Sequence, residues 1–346
     1  MRVSIRQVAE RAGVSAMTVS NVLRDREDQM VGETRARVLQ AIHDLGYVPV
    51  RSAIQNRHVA TKSIGLVFIH ALEGEVGSPT FLGMCDRARQ KDYDLTVLLR
   101  SEPDWVKPGT ESQFLDRRCD GFIFIGDSRR EITEALVRHN IPVVECYSVF
   151  SPPGVANILL DNVSAIRQAV TLLAGHGHTR IAHLAGPRSN GEALQRLEGY
   201  RSKMWELFGE DPDKFVVQGE TWGDLWGYNQ GDPGWETRPF AEAVLALNVT
   251  AVVCVNDLYA LAVWRLAEEK GLRVPEDISI VGMDNIAQGA ERGLTSVAPC
   301  FKQVGRAAVD AILTLLQGGR SADASQVIPV SLLNRASVAV PHTRAI

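Results

Sequence analysis

Residues 1–46 constrain this chain more than any other stretch. Ile5, Val8, Ala9 and Ala12 fall at i, i+3, i+4 and i+7, which lines one face of a two-turn helix with apolar side chains. Gly13 follows, free to take a positive φ in a tight turn, and Val14 fits the corner. Ser15 is placed to cap the next helix, its hydroxyl open to the N–H groups of the following turn. There Val19, Val22 and Leu23 share one face, and Ala16, Met17, Ser20, Asn21 and Arg24 the other. A third helical stretch, Thr34 to Leu45, repeats Val38, Ala41, Ile42 and Leu45 and stops before Gly46 and Pro49. Three short helices around one small core, two of them joined by an Ala-Gly-Val turn, make a helix-turn-helix. In that motif the second helix presents its N-terminal residues to base edges in the major groove. The spacing alone also allows a plain helical cap on a larger protein.

The charge distribution favours a nucleic-acid contact at this end. Residues 1–60 hold nine arginines and six acids, a balance of +3, so the remaining residues carry −7 of the chain's net −4. A basic head on an acidic body suits a protein that meets phosphate at one end only. With 346 residues, 45% hydrophobic and 23% charged, the chain has the composition of a soluble globular protein of two or three units. No apolar run reaches the roughly 18 residues that span a bilayer. The N-terminus lacks the apolar stretch of an export signal, so a cytoplasmic location and no membrane partner are expected. Cys85, Cys119, Cys146, Cys254 and Cys300 show no Cys-x-x-Cys spacing and read as reduced, mostly buried residues. No cofactor, bound metal or catalytic residue is expected.

The run from Ile5 through Val8-Ala9, Ala12-Gly13-Val14-Ser15, Thr18-Val19-Ser20 to Val22-Leu23, with Leu45-Gly46-Tyr47 and Pro49, strongly resembles the DNA-binding signature of the LacI/GalR family of bacterial transcription regulators. By that resemblance Ala16, Met17 and Asn21 read bases, while Ser15, Thr18, Ser20 and Arg24 approach phosphates. An asparagine can bond adenine bidentately and a methionine can meet a thymine methyl. Asn21 departs from the arginine usual at its position.

Between Pro49 and Lys62 the chain is polar and basic, a linker. The resemblance implies a hinge that folds on operator binding and wedges a leucine into the minor groove. Here Asn56 stands at the wedge position and Val50 at the usual helix-starting asparagine. Ile54 lies two residues away, about 200° around a helix. Arg51 and Arg57 are expected phosphate contacts.

From Ser63 onward apolar runs alternate with helical stretches: IGLVFI, Phe81 to Lys91, LTVLL, a helix ending near Arg118, GFIFIG, Glu131 to His139, PVVEC. A second series follows the Pro152 to Gly154 turn, with IAHLAG, KFVVQG, AVVCV and ISIVGM as strands between helices. Such alternation means parallel sheets covered by helices. The expected α/β fold is a three-helix helix-turn-helix head on a bilobed, periplasmic-binding-protein-like body of two doubly wound parallel sheets. The expected division is residues 1–48 for the head, 49–62 for the hinge and 63–346 for the body. Lobe one takes about 63–155 with a return near 290–320, and lobe two about 156–288 with the C-terminal strands. Helix Val304 to Leu316 reads as core rather than interface.

Further matches recur in family order: Asp161-Asn162, Gly177-His178, Arg196 to Tyr200, Asn256-Asp257, and Val274-Pro275 to Asp284. By position, Arg196, Asn256 and Asp284 would bond an effector's polar groups, with Trp222 or a neighbour stacking on it and His70, Asp127 and Tyr147 lining the other lobe. A lone histidine at a strand end serves structure as readily as a ligand. Tyr147 replaces an aspartate frequent in sugar-binding relatives, which would leave Arg196 without a nearby carboxylate and favour a sugar acid. The Trp- and Gly-rich stretch Glu220 to Phe240 would either cover the cleft or pack outside it. The sequence holds no Gly-x-Gly-x-x-Gly after the first strand, no Gly-x-x-x-x-Gly-Lys, no His-Glu-x-x-His and no Gly-x-Ser-x-Gly, so an enzyme is not indicated. A solute-binding protein explains the body but not the basic head. The reading that uses the whole chain is a homodimeric regulator of a near-palindromic operator, most commonly a repressor in this family, controlled by a sugar or sugar acid. A corepressor-type response to the effector is the alternative.

Overall fold

The structure, a computed structural model, describes residues 3–23, 32–45, 47, 60–68, 74–99, 114–115, 118–126, 129–220 and 237–341. The expectations for Arg24, Arg51, Asn56, Arg57, His70, Asp127 and Trp222 lie outside these residues, as do most of the hinge and most of the Trp-rich stretch.

Helix α1, Ile5–Ala12, begins in a reciprocal cap that sequence reading passed over. The Ser4 hydroxyl accepts from the Gln7 N–H, and the Ser4 N–H donates to Gln7 Oε1 at 2.8 Å, a Ser-x-x-Gln capping box. It ends at Gly13, whose φ of 63° closes the helix in the left-handed conformation that the turn requires. Helices α2, Ala16–Leu23, and α3, Gly32–Leu45, complete the head. Val8, Ala9, Ala12, Val19, Val22, Val38, Ala41 and Tyr47 form its buried core.

Lobe one carries β1, Ser63–Phe68; α4, Gly74–Gln90; β2, Asp94–Leu99; β3, Gly121–Ile125; α5, Arg130–Arg138; β4, Val143–Cys146; and β5, Ala156–Leu160. Helix α4 starts seven residues ahead of the expected Phe81 and holds Pro79 in its interior, the residue that masks its true start in the sequence. Lobe two opens with α6, Asn162–Gly175; β6, Ile181–Ala185; α7, Gly191–Phe208; and β7, Val216–Gln218. The expected strand KFVVQG is only half strand. Pro212–Phe215 is a 3₁₀ turn, because Asp211 caps it by accepting from the Asp213 N–H and Pro212 presets its first φ. Then come α8, Arg238–Leu245; β8, Ala251–Cys254; α9, Asp257–Glu269; β9, Ser279–Met283; α10, Ala287–Glu291; and β10, Thr295–Pro299. Helix α11, Phe301–Leu316, with β11, Gln326–Ile328, and β12, Val330–Leu333, completes the set used below.

Among the described residues two six-stranded sheets form, in the orders β11-β5-β4-β3-β1-β2 and β12-β10-β9-β8-β6-β7. Every pairing is parallel except that of β10 with β12. Strands β1, β3, β4, β6, β8 and β9 are buried throughout, which is why they read as unbroken apolar runs.

The strand pairings move the expected lobe limits. β5 hydrogen-bonds to β4, so lobe one runs to residue 160 rather than 155. β10 pairs with β9 in lobe two, so the return to lobe one expected near 290–320 starts only at α11 and runs on to β11. The chain therefore crosses between lobes after β5, after β10 and after β11. Helix α11 buries Val304, Ala307, Ala308, Val309, Ala311 and Ile312 against α4 and the first sheet, in keeping with the core role expected of it.

Candidate functional site

Two regions carry the chemistry that the sequence pointed to. The first is the exposed side of α2. Its start is fixed by Ser15, whose hydroxyl accepts from the Thr18 N–H at 3.1 Å and lies 2.9 Å from the Thr18 hydroxyl. Val19 and Val22 turn inward. Met17 points the other way and is 67% exposed, with Ser20 and Asn21 half-buried beside it. Ala16 packs partly against the head core, so the open reading surface centres on Met17, Ser20 and Asn21.

The second region lies at the carboxyl ends of the lobe-two strands, where open α/β sheets bind ligands. Arg196, on α7, is 3% exposed. Its Nε donates to Asn162 Oδ1 at 2.9 Å, its Nη1 donates to the Val255 carbonyl at 2.6 Å, and its Nη2 stands 3.9 Å from Asp284 Oδ1. The amide of Asn162 donates in turn to Glu192 Oε1 and Gln195 Oε1, each at 3.1 Å. Asn256, next to Val255, caps α9 by accepting from the Tyr259 N–H at 3.0 Å. Three of the expected effector residues, Arg196, Asn256 and Asp284, are thus brought together in one lobe.

Asp284 sits at the end of β9 with φ at 101°, followed by Asn285 at 56°. Successive non-glycine residues in this region are strained and persist only where their surroundings hold them, a condition found at ligand sites. Burial pushes the Asp284 carboxyl up to about 6, against the opposing pull of Arg196.

Tyr147 belongs to lobe one and also has a positive φ, 68°. Its hydroxyl lies 2.7 Å from Thr80 Oγ1, which donates its single hydrogen to the Val76 carbonyl, so the tyrosine is the donor. Its ring meets Phe301 edge-on at 6.4 Å. Burial first, and Glu192 and Asp284 among the lesser causes, push the Tyr147 phenol well above its ordinary range.

The expectation that Arg196 lacks a carboxylate partner is corrected here. Asp284 is within reach of its guanidinium and Glu192 is one hydrogen bond beyond, through Asn162. Tyr147 indeed supplies no charge, but the compensation comes from lobe two. Asn162, Glu192 and Thr80 were not singled out from sequence. Asn162 was visible within the Asp161-Asn162 pair and Glu192 in its i,i+4 spacing to Arg196 on one helix, whereas nothing local in the sequence places Thr80.

Residues 4–50 match the family described as bacterial regulatory proteins, lacI family. Residues 79–219 match the periplasmic binding proteins and sugar binding domain of LacI family, and residues 170–338 a periplasmic binding protein-like domain. The chain is 29% identical to the lactose operon repressor of Escherichia coli (strain K12), covering 99% of this chain and 92% of that protein. It is also 29% identical to the HTH-type transcriptional regulator CelR of Thermobifida fusca, over 97% of this chain and 98% of that one. Among solved structures, the lac repressor dimer bound to operator and the anti-inducer ONPF superposes with a TM-score of 0.72 at 27% identity, covering 98% of this chain and 100% of that one. A transcriptional regulator CelR-cellobiose complex gives 0.67 at 26% identity, covering 97% and 100%.

Proposed function

The chain belongs to the LacI family of bacterial regulatory proteins, and on that premise we propose that it is a homodimeric transcription repressor whose grip on operator DNA is set by a neutral sugar held between its lobes. The observation that carries this reading is the Arg196, Asn256 and Asp284 group at the strand ends of a body joined to an exposed recognition helix. In the head, α2 would enter the major groove with Met17 and Asn21 at base edges and the paired hydroxyls of Ser15 and Thr18 beside the backbone. Two such heads in a dimer call for a near-palindromic site.

The cleft charges bear on the effector. One guanidinium facing Asp284, with Glu192 behind Asn162, gives no net positive potential, so the reason for preferring a sugar acid falls away. Neutral hydroxyls suit mixed donors and acceptors of this kind, and a structural relative holds cellobiose. The effector acts through its different affinities for two arrangements of the lobes.

Electrophoretic shifts on DNA upstream of the chain's own gene test the first half. The full chain should retard it and a variant lacking residues 1–60 should not; retention without the head overturns the scheme. Calorimetric titration with cellobiose and lactose, against gluconate, tests the second half. Binding of gluconate alone would return the assignment to a sugar acid.

A further inference from the structure

Asn256 and Asp284 stand on different connections of lobe two, and a buried carboxylate joins them. Asp257, the first residue of α9, is 1% exposed. Its Oδ2 accepts from the Ile286 N–H at 2.9 Å and its Oδ1 accepts from the Ser296 hydroxyl at 2.7 Å. The Ser296 oxygen accepts from the Asn285 N–H at 3.1 Å. Arg335 closes the far side, donating to Asn285 Oδ1 at 2.5 Å and to the Leu294 carbonyl at 2.6 Å. The Asp284 N–H donates to the Val297 carbonyl at 2.9 Å. All three amides of the 284–286 turn are therefore fixed, two of them by Asp257 directly or through Ser296.

The space for this carboxylate is built in. A Cβ at Gly282 would fall 2.0 Å from Asp257 Oδ1, so any side chain there would expel it. Burying a carboxylate is costly unless its oxygens are satisfied, and burial pushes Asp257 up to about 7. Helix α9 is already capped by Asn256, and the Asp257 oxygens go to Ile286 and Ser296 rather than to the helix's own N–H groups. What Asp257 does hold is the backbone that follows the strained Asp284: the Asn285 amide through Ser296 and the Ile286 amide directly.

We propose that Asp257 is a positioning residue of the effector site: by holding the Ile286 amide and, through Ser296, the Asn285 amide, it fixes the turn that aims Asp284 at Arg196 and ties it to Asn256. This rests on the assignment of Asp284 and Asn256 to the effector site made above. Neither Asp257 nor Ser296 meets the effector in this scheme.

Region-resolved hydrogen exchange on the free full-length protein tests it. In Asp257→Ala, peptides covering 284–291 should exchange about tenfold faster or more, while those covering β6 and β8 stay as in the wild type. Gly282→Ala, which displaces the same carboxylate without removing it, should loosen the same peptides. Asp257→Asn keeps an acceptor for the Ile286 N–H and should restore most of the protection. Unchanged exchange at 284–291 in Asp257→Ala overturns the proposal. So does a uniform rise across lobe two, or an asparagine variant as loose as the alanine one. Because the readout needs no ligand, a loosened turn that leaves cellobiose titration unaltered would count against Asp284 as an effector residue, not against the hold of Asp257 on the turn.

Discussion

On the outer face of α2, Met17 is 67% exposed and Ser20 and Asn21 flank it, with the helix held from behind by Val19 and Val22. In the cleft, Arg196 is 3% exposed and its guanidinium is committed to Asn162, Val255 and Asp284. Both surfaces are read as recognition sites, yet one leaves its specificity side chains outside the folded network and the other makes them part of it. A reading face of the first kind can be rewritten at little cost to folding. With the effector placed as proposed, a site of the second kind ties ligand choice to the stability of the lobe, and a change at Arg196 moves both quantities.

The largest expected effect follows from that tie. Arg196→Ala would leave Asp284 without its cation, and the Val255 carbonyl and Asn162 Oδ1 without their donor. Removing one partner of a buried pair costs about 3–5 kcal/mol. Urea unfolding should show that loss together with the loss of effector binding. A midpoint within error of the wild type would mean that the cleft is no more committed than the head.

A second effect separates the two regions by pH. Asp257 at about 7 and Asp284 at about 6 are both raised, burial being the main cause. The folded chain then keeps protons that the unfolded chain releases near its ordinary carboxylate range of about 4. Their contribution to stability is full below about pH 4 and is lost as the pH rises through about 6 to 7. His183, buried and stacked on Tyr200, is lowered to about 4 and works in the opposite sense, losing stability as the pH falls below about 6.5. Asp257→Asn isolates one group. Between about pH 5 and pH 8 the variant should gain on the wild type by roughly 2–3 kcal/mol, since the amide has no charge to bury. Parallel unfolding curves at the two pH values would remove Asp257 from the account. The head carries no such buried carboxylate among its described residues, so substitutions in α2 should leave the pH profile as it is.

These contrasts also mark what could be read from the sequence. The head was legible almost residue by residue: its helices are set by i, i+3, i+4 spacing, by Ser15 as a cap and by Gly13 as a turn, all of them local signals. The alternation of strands and helices in the body was legible for the same reason. The lobe limits were not, because β5 and β10 join their sheets through pairings between distant segments that no local pattern encodes. Arg196, Asn256 and Asp284 were found by resemblance, but their partners were not. Asn162, which Glu192 and Arg196 share, lies 30 residues or more away from them along the chain, and Asp257 reaches Ile286 across 29. Such networks belong to the tertiary structure, and the sequence contains their members without their connections. The charge-based reason for a sugar acid weakened at this point: it counted the carboxylate missing at Tyr147 and not the one that stands 3.9 Å from Arg196 at Asp284.

The smallest effect on folding should come from the reading face, and there the comparison is sharpest. Met17→Ala and Asn21→Ala remove no buried core contact and break no cap, so each should leave the unfolding midpoint almost unmoved, within about 0.5 kcal/mol. Their cost should appear on DNA instead. If Asn21 bonds a base edge, Asn21→Ala loses about 1–3 kcal/mol of discrimination, and the loss falls on a single base pair of each half-site. Met17→Ala should relax the preference at a thymine by a smaller amount, since an apolar contact with a methyl group carries no hydrogen bond. Competition shifts against a panel of singly substituted operators would resolve the two. A phosphate contact would instead weaken every operator alike and reduce the salt dependence of binding, because the counterions released at the backbone do not depend on sequence. A uniform loss for Asn21→Ala would therefore move that residue from the bases to the backbone and leave Met17 as the centre of the reading face.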